Sequence, residues 1–318
     1  MAITDTEHHG NKPNYFLWKA VIGRTPRLPL TPPEYFGLEQ AWSIILTALD
    51  FEEDFDLVLQ NYIDLELKFL EIAMHSMVLS HSDLVRMRMV RLTFGRHLIN
   101  LLASCRLYLD HSPHTLSRLG TSVSDVFVNK KRKAYDGEFS YRFMEALRNY
   151  SQHRGSPLHA TTFNSKRVER SNEESLLQFS VFASINLDKL REDRKFKQSV
   201  LKEVSKEERL DVLSLTRIYI EKIGEMHTTM RAELAQQVND AKSLLREALD
   251  RYEREAQETR IGVTFARSND GSVIDAHQAI PEDVIELYEA LVSQNRQVIN
   301  LRKRFVSNEI IPERKVSL

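Results

Sequence analysis

The stretch Leu147-Arg148-Asn149-Tyr150-Ser151-Gln152-His153-Arg154-Gly155 gathers a guanidinium, an amide and an imidazole. Histidine exchanges protons near neutral pH. Arginine's planar fork makes paired hydrogen bonds to phosphate oxygens. Such groups suit cleavage of a ribose phosphodiester without a metal ion. A base takes the 2′-proton, an acid protonates the leaving oxygen, and a cation stabilises the charged phosphorane.

Spacing sets what one helix can do with them. Asn149 and His153 are four apart and stack on one face. Phe143, Leu147 and Tyr150 form the expected buried stripe. Arg148 emerges on the other flank, about 140° from His153 at roughly 100° per residue. One helix therefore does not focus both on one phosphate, whereas a second copy across a dimer interface would bring two Arg–His pairs into one cleft. Arg154 and His159 follow closely and are candidates to assist. Further RNA contacts are expected at Arg88 and Arg91, and at Lys130, Lys131 and Arg132 in the run that ends at Lys133. That run lies far from His153 along its helical hairpin, at about 1.5 Å per residue.

Several other chemistries lack their residues. The 318-residue chain has one cysteine, Cys105, which reads as core in an apolar helix. It has 10 glycines and no phosphate-cradling loop, dinucleotide fingerprint, His-Glu-x-x-His or Gly-x-Ser-x-Gly. His8, His9, His75, His81, His97, His111, His114, His227 and His277 show no ligand-like clustering. Neither a metal nor a cofactor is expected.

The elements that must position these residues are mostly helices. Gly and Pro are scarce, at 10 and 9, and 42% of residues are apolar. Five of the prolines fall before residue 40, which predicts an irregular arm over 1–40. From Asp50 to Ser80, Phe55, Leu59, Tyr62 and Phe69 recur at helical spacing. Eight carboxylates there face one lysine, Lys68. The next helix is predicted from an N-cap at Ser82 or Asp83 to Leu109. It has no acid between Asp83 and Asp110, but carries Arg86, Arg88, Arg91, Arg96 and Arg106. Such neighbours are expected to pair their charges; an RNA-contacting arginine stripe is the sharper alternative. Pro113 is read as a restart, with a helix to Lys133, and a further helix runs from Glu138 to His153, stopped by Gly155 and Pro157.

After Pro157 the pattern changes. Leu177, Phe179, Val181, Ala183 and Ile185 alternate as a half-buried strand, with Ala160–Asn164 as partner. Ile261–Ala266 and Val273–Ala276 flank Ser268-Asn269-Asp270-Gly271, a hairpin signal. Two heptad seams surround it. One holds Leu234, Val238, Ala241, Leu245, Ala248 and Tyr252. The other holds Val284, Leu287, Leu291, Gln294, Val298, Leu301 and Phe305. They are expected to fold back as an antiparallel pair, or to zip a homodimer. The fold class is thus mainly α: a helical bundle over 41–158, then an α+β region over 159–318 with long helices and a small antiparallel sheet.

Arg148, Asn149 and His153 resemble the signature of the HEPN superfamily of helical ribonucleases and nucleotide-binding proteins. In that family Arg precedes His by four to six residues, commonly with Asn, Asp or His after the Arg. The resemblance covers at most residues 40–160. It implies a bundle dimer with a composite, metal-independent endoribonuclease site, in proteins that often act as toxins or antiphage-defence effectors. Some members are silenced by nucleotide addition to a tyrosine two residues past the histidine. Here that residue is Gly155, so that control is not implied. By this resemblance His153 is the general acid/base, Arg148 holds phosphate and Asn149 orients either. RNA is the expected substrate, with a homodimer and an antitoxin or defence-system protein as partners. The alternative is a non-catalytic HEPN-like dimer that binds RNA, nucleotide or a partner protein. A third option is a scaffold that uses the C-terminal heptads.

The net charge is −1, so affinity for RNA must come from a local cleft. The opening Met-Ala-Ile-Thr-Asp-Thr-Glu has neither a basic start nor an apolar core, which predicts no signal peptide. The apolar stretch Ala41–Leu49 is too short to span a bilayer. A cytoplasmic protein without membrane attachment is expected.

Overall fold

The structure is a computed structural model that describes residues 14–23, 25–79, 83–168, 176–204, 210–269, 274–295 and 298–306. In chain order the elements are β1 (Asn14–Lys19), β2 (Leu28–Leu30), α1 (Pro32–Val78), α2 (Leu84–Ser117), α3 (Thr121–Gly137), α4 (Phe139–His153), β3 (Ala160–Val168) and β4 (Leu176–Ile185). They continue with the short α5 (Leu187–Glu192) and α6 (Gln198–Leu201), β5 (Leu210–Asp211), α7 (Val212–Ala256), β6 (Val263–Ser268), β7 (Ala276–Ala279), α8 (Glu282–Gln294) and a 3-10 turn, Leu301–Lys303. The fold is mainly α with an α+β part. Among the described residues, no helix is long and apolar enough to cross a membrane.

The chain forms two compact units that interleave along the sequence. One lies within residues 1–56, 112–125 and 230–296; the other lies within 57–111, 126–229 and 297–318. Helix length is the reason. The 47 residues of α1 extend for about 70 Å, and α1, α2, α3 and α7 each contribute to both units. The compact units therefore do not follow the order 1–40, 41–158 and 159–318.

In the first unit an antiparallel sheet has the order β2-β1-β6-β7. β1 pairs β6 from Asn14↔Ser268 to Lys19↔Val263, and Phe16, Leu17, Phe265 and Ala266 are buried. The predicted irregular arm is corrected over 14–23 and 25–40, which hold β1, β2 and the start of α1. The proline-rich stretch serves that start. Thr31-Pro32-Pro33-Glu34 is a capping box with proline in the first turn, where a missing N–H costs nothing. Thr31 N donates to Glu34 Oε2 at 2.6 Å, and Glu34 N donates to Thr31 Oγ1 at 3.4 Å. The bond from the Thr31 backbone N–H holds the Glu34 carboxyl below its ordinary range. A depressed carboxyl contributes stability that is present above its unfolded value and is lost as pH falls through the folded one. Glu34→Gln is therefore expected to lower Tm near neutral pH and to narrow the gap to wild type on acidification, as thermal melts at several pH values would check.

The first heptad seam is packed within this unit: Leu234, Val238, Ala241, Leu245, Ala248 and Tyr252 are all buried. The second seam is corrected. α8 stops at Gln294, where Asn295 N donates to Leu291 O at 2.9 Å, so Val298, Leu301 and Phe305 do not continue it. Val298 instead seats on α7 in the second unit. A Cβ at Gly224 would stand 2.8 Å from Val298 Cγ1 and 2.9 Å from its carbonyl oxygen. The hairpin residues Asp270 and Gly271 lie outside the described residues, but the strands pair as expected, with Arg267 opposite Ala276.

In the second unit β3 pairs β4 from Ala160↔Ser184 to Val168↔Leu176, and β4 pairs the two-residue β5. These strands and those of the first unit form two separate antiparallel sheets. Asp83 caps α2 by accepting from Arg86 N at 2.7 Å, while Ser82, like His8, His9 and His81, lies outside the described residues.

Pro113 does not restart the chain; it sits inside α2, and the break comes at Gly120, whose φ of 138° suits glycine. Proline has no N–H for the carbonyl four residues back. That carbonyl, Leu109 O, accepts from Lys131 Nζ at 3.0 Å. Lys131→Met is expected to lower stability by about 1 kcal/mol in a denaturant titration without changing RNA affinity. A loss of RNA affinity would restore Lys131 as a nucleic-acid contact.

The acidic face of α1 finds arginines from beyond α2. Arg217 of α7 grips Glu66 at 2.6 and 2.8 Å, Arg231 of α7 grips Glu52 at 2.8 and 2.6 Å, and Arg118 reaches Asp50 at 2.8 Å. Arg106 pairs with Asp110 at 2.5 Å and Glu145 at 3.4 Å.

Candidate active site

α4 is built by its ends and its stripe. Glu138 caps it by accepting from Ser140 N, and the Arg154 and Gly155 N–H groups close it on Tyr150 O at 2.8 and 3.4 Å. Tyr141, Phe143, Met144 and Leu147 are buried, which turns the row Glu145, Asn149, His153 outward at spacings of four. Arg142 fixes the turn from α3 by donating to the carbonyls of Tyr135 and Asp136 at 2.8 and 2.7 Å.

That row lines a cleft of about 570 Å³ in the second unit, together with Tyr135, Tyr150, Arg154 and the segment Asp193–Lys197. Phe196 anchors the segment, with ring centroids 6.0 Å from Phe143 and 6.1 Å from Tyr150. Asp193 shapes it, since its Oδ1 accepts from Lys195 N at 2.9 Å and its carbonyl accepts from Phe196 N at 2.9 Å. The cations that line the cleft with His153 are Arg154, 3.8 Å from Asp193, exposed Lys195, and Lys197. Lys197 bonds the Tyr135 hydroxyl and lies 4.6 Å from its ring centroid. Glu145 is tied to Tyr219, whose hydroxyl donates to it at 2.6 Å, and to Arg106.

The three foremost candidates are thus not all together. Asn149 and His153 are exposed and share the cleft. Arg148 does not line it. Its Nη1 donates to Asn149 Oδ1 at 2.9 Å, and its Nε is buried without a hydrogen-bond partner. Of the secondary candidates only Arg154 lines the cleft. His159 is structural in its contacts: Nδ1 accepts from Asn186 N at 3.2 Å, and its carbonyl accepts from Arg91 Nη1 at 3.0 Å. Burial and the nearby Lys189 and Arg91 charges push its imidazole below the ordinary range. Arg88 and Arg132 are exposed, and Lys130 is half-buried.

Lys195, Lys197, Tyr135 and Glu145 escaped the sequence reading. Glu145 was visible as the residue four before Asn149, and the lysines were visible in Arg194-Lys195-Phe196-Lys197, a basic run around an aromatic. Cys105 is fully buried, and burial pushes its thiol well above the ordinary value, as suits a core residue. Among the described residues, no group of three or more His, Cys, Asp or Glu is placed to hold a metal ion. Compared with known proteins, the chain matches no family model, no curated protein and no solved structure.

Proposed function

We propose that this chain is a metal-independent endoribonuclease of HEPN type, a cytoplasmic toxin or antiphage-defence effector that works as a homodimer on RNA. One observation carries the reading: the exposed imidazole of His153 shares a cleft with Asn149 and with the cations Arg154, Lys195 and Lys197. His153 removes the ribose 2′-proton, and the 2′-oxygen attacks phosphorus. The bond to the 5′-oxygen breaks, and that oxygen takes a proton from an imidazolium. The products are a 2′,3′-cyclic phosphate and a 5′-hydroxyl. Arg154 and Lys195 hold the phosphate. Within one chain Arg148 positions Asn149; it reaches phosphate only from a second copy.

A non-catalytic dimer that binds RNA, nucleotide or a partner protein is the second reading. It is favoured by the place of Arg148 outside the cleft. Incubating the purified chain with labelled RNA in chelator separates the two. Cleavage supports the nuclease, and salt-sensitive binding without cleavage supports the binder. If RNA is neither cut nor bound, the nuclease is overturned and the second reading keeps only nucleotide or a partner protein as its ligand. An antitoxin or other defence protein that occludes the cleft is the partner this reading expects.

A further inference from the structure

The cleft of the second unit holds groups for which phosphate has no use. Glu145 lines it as a carboxylate, which opposes the charge of a polyanion. The carboxylate is firmly held: Oε1 accepts from the Tyr219 hydroxyl at 2.6 Å and Oε2 from Arg106 Nη1 at 3.4 Å, with 14% of the side chain exposed. A carboxylate has about four acceptor sites, so each oxygen can take a further donor. One turn on, Asn149 is exposed and fixed in its turn. Its Oδ1 accepts from Arg148 Nη1 at 2.9 Å, which leaves the amide NH2 to donate. Tyr135 adds an aromatic wall to the same cleft, and its carbonyl, by accepting from Arg142 at 2.8 Å, ties it to the Glu145 end of α4.

These groups form a pattern along one face. Glu145, Asn149 and His153 follow one another at about 6 Å. About 12 Å of helix therefore separates the carboxylate from the imidazole, room for one nucleoside with its ribose at His153 and its base at Asn149 and Glu145. Two acceptors side by side, with a donor next to them, select among the bases. Guanine alone presents two adjacent donors, N1–H and N2–H, with an acceptor, O6, beside them. Adenine and cytosine place one amino group next to a ring nitrogen that accepts, and uracil places one N–H between two carbonyls. Each of those sets a lone pair against a carboxylate oxygen. A site built to hydrogen-bond a group discriminates strongly against an analogue that lacks it.

We propose that Glu145 and Asn149 form a guanine-reading site in this cleft. Glu145 accepts from N1–H and N2–H, Asn149 donates to O6, and the Tyr135 ring offers its surface to the base, as aromatic side chains do for unpaired bases. Arg148 and Tyr219 act as positioning residues, each fixing one of the two readers. The choice of base rests on the cleft itself; that the guanine belongs to RNA rests on the nuclease reading.

Calorimetric titration of the purified chain with 3′-GMP, 3′-AMP, 3′-CMP and 3′-UMP tests it, beside mapping of the cuts in a mixed-sequence RNA in chelator. 3′-GMP is expected to bind about 10–100-fold more tightly than the others, the worth of a hydrogen bond to a charged group. 3′-IMP, which lacks the 2-amino group, should lose most of that margin. Glu145→Gln keeps the shape and an acceptor for Tyr219 but offers the base one acceptor fewer. It is expected to bring the nucleotides within a few-fold of one another by weakening 3′-GMP alone. Asn149→Asp, at an exposed position, guards against a folding defect in that variant; it sets an acceptor against O6 and should also weaken 3′-GMP most. Cuts are expected on the 3′ side of guanosine. Nucleotides bound alike by the wild type, a loss in Glu145→Gln shared by all of them, a 3′-GMP margin that survives both variants, or cutting beside another base would each overturn the guanine site. A 3′-GMP margin that Glu145→Gln removes, without any RNA cleavage, would leave this site standing and overturn the nuclease.

Discussion

His153→Ala is expected to slow RNA cleavage by about 10²–10⁴-fold, the usual worth of a positioned proton-transfer group, while RNA affinity changes by only a few-fold. His153 sits in the last turn of α4, exposed, with its burden of packing carried by Phe143 and Leu147. Its loss removes no buried contact and should leave Tm unchanged. Lys195→Ala is expected to act differently: it weakens RNA binding and flattens its salt dependence, because a phosphate contact releases counterions on binding. Rate and affinity measured side by side for the two variants check the division of labour. A His153 variant that binds poorly but cleaves bound RNA normally would move the imidazole from chemistry to binding.

The second large effect is on stability. Arg231→Met is expected to cost about 3–5 kcal/mol, because it takes away the guanidinium that faces a buried carboxylate. Glu52 has only 2% of its side chain exposed, and Arg231 has 14%. The guanidinium meets both carboxylate oxygens, at 2.8 and 2.6 Å. At a few degrees per kcal/mol for a protein of this size, Tm should fall by roughly 10 °C. Adding Glu52→Gln to Arg231→Met should recover part of the loss, since the buried negative charge, not the missing bond, is the main cost. A single variant that melts within a degree of wild type would mean that water or another cation reaches Glu52.

Periodicity made much of this fold legible in the sequence. The stripes on α1 and α4, the alternation of β4, and the seam from Leu234 to Tyr252 each required only a local rule; the seam is buried throughout, whereas Tyr62, Tyr150 and Phe179 are half-buried and Leu177, at the far end of β4, is exposed. What failed were places where local punctuation competes with context. Pro32 and Pro33 read as breakers, yet proline in a first turn leaves no bond unmade, and Thr31 with Glu34 turns the same stretch into a helix start. Pro113 read as a stop, but Lys131 satisfies the carbonyl it orphans. The seam after Gln294 kept its heptad spacing and lost its helix, because Val298 is held on the bare surface at Gly224. The cleft was half legible. Asn149 and His153 share a face by spacing alone, whereas Lys195 and Lys197 arrive through Phe196 packing on α4, a contact that no spacing rule announces. The charge pattern misled in the same way. The arginines that answer the acids of α1 come chiefly from α7, more than a hundred residues on.

The end chemistry of RNA cut by the wild-type chain in chelator, beside His153→Ala, reads the proposed mechanism most directly. A substrate with a single 2′-deoxy nucleotide at the main cleavage position serves as the control. Wild type should leave 2′,3′-cyclic phosphate and 5′-hydroxyl ends, spare the 2′-deoxy position, and lose this activity on His153→Ala. Equal cleavage by wild type and variant, or cutting of the 2′-deoxy position, would contradict it.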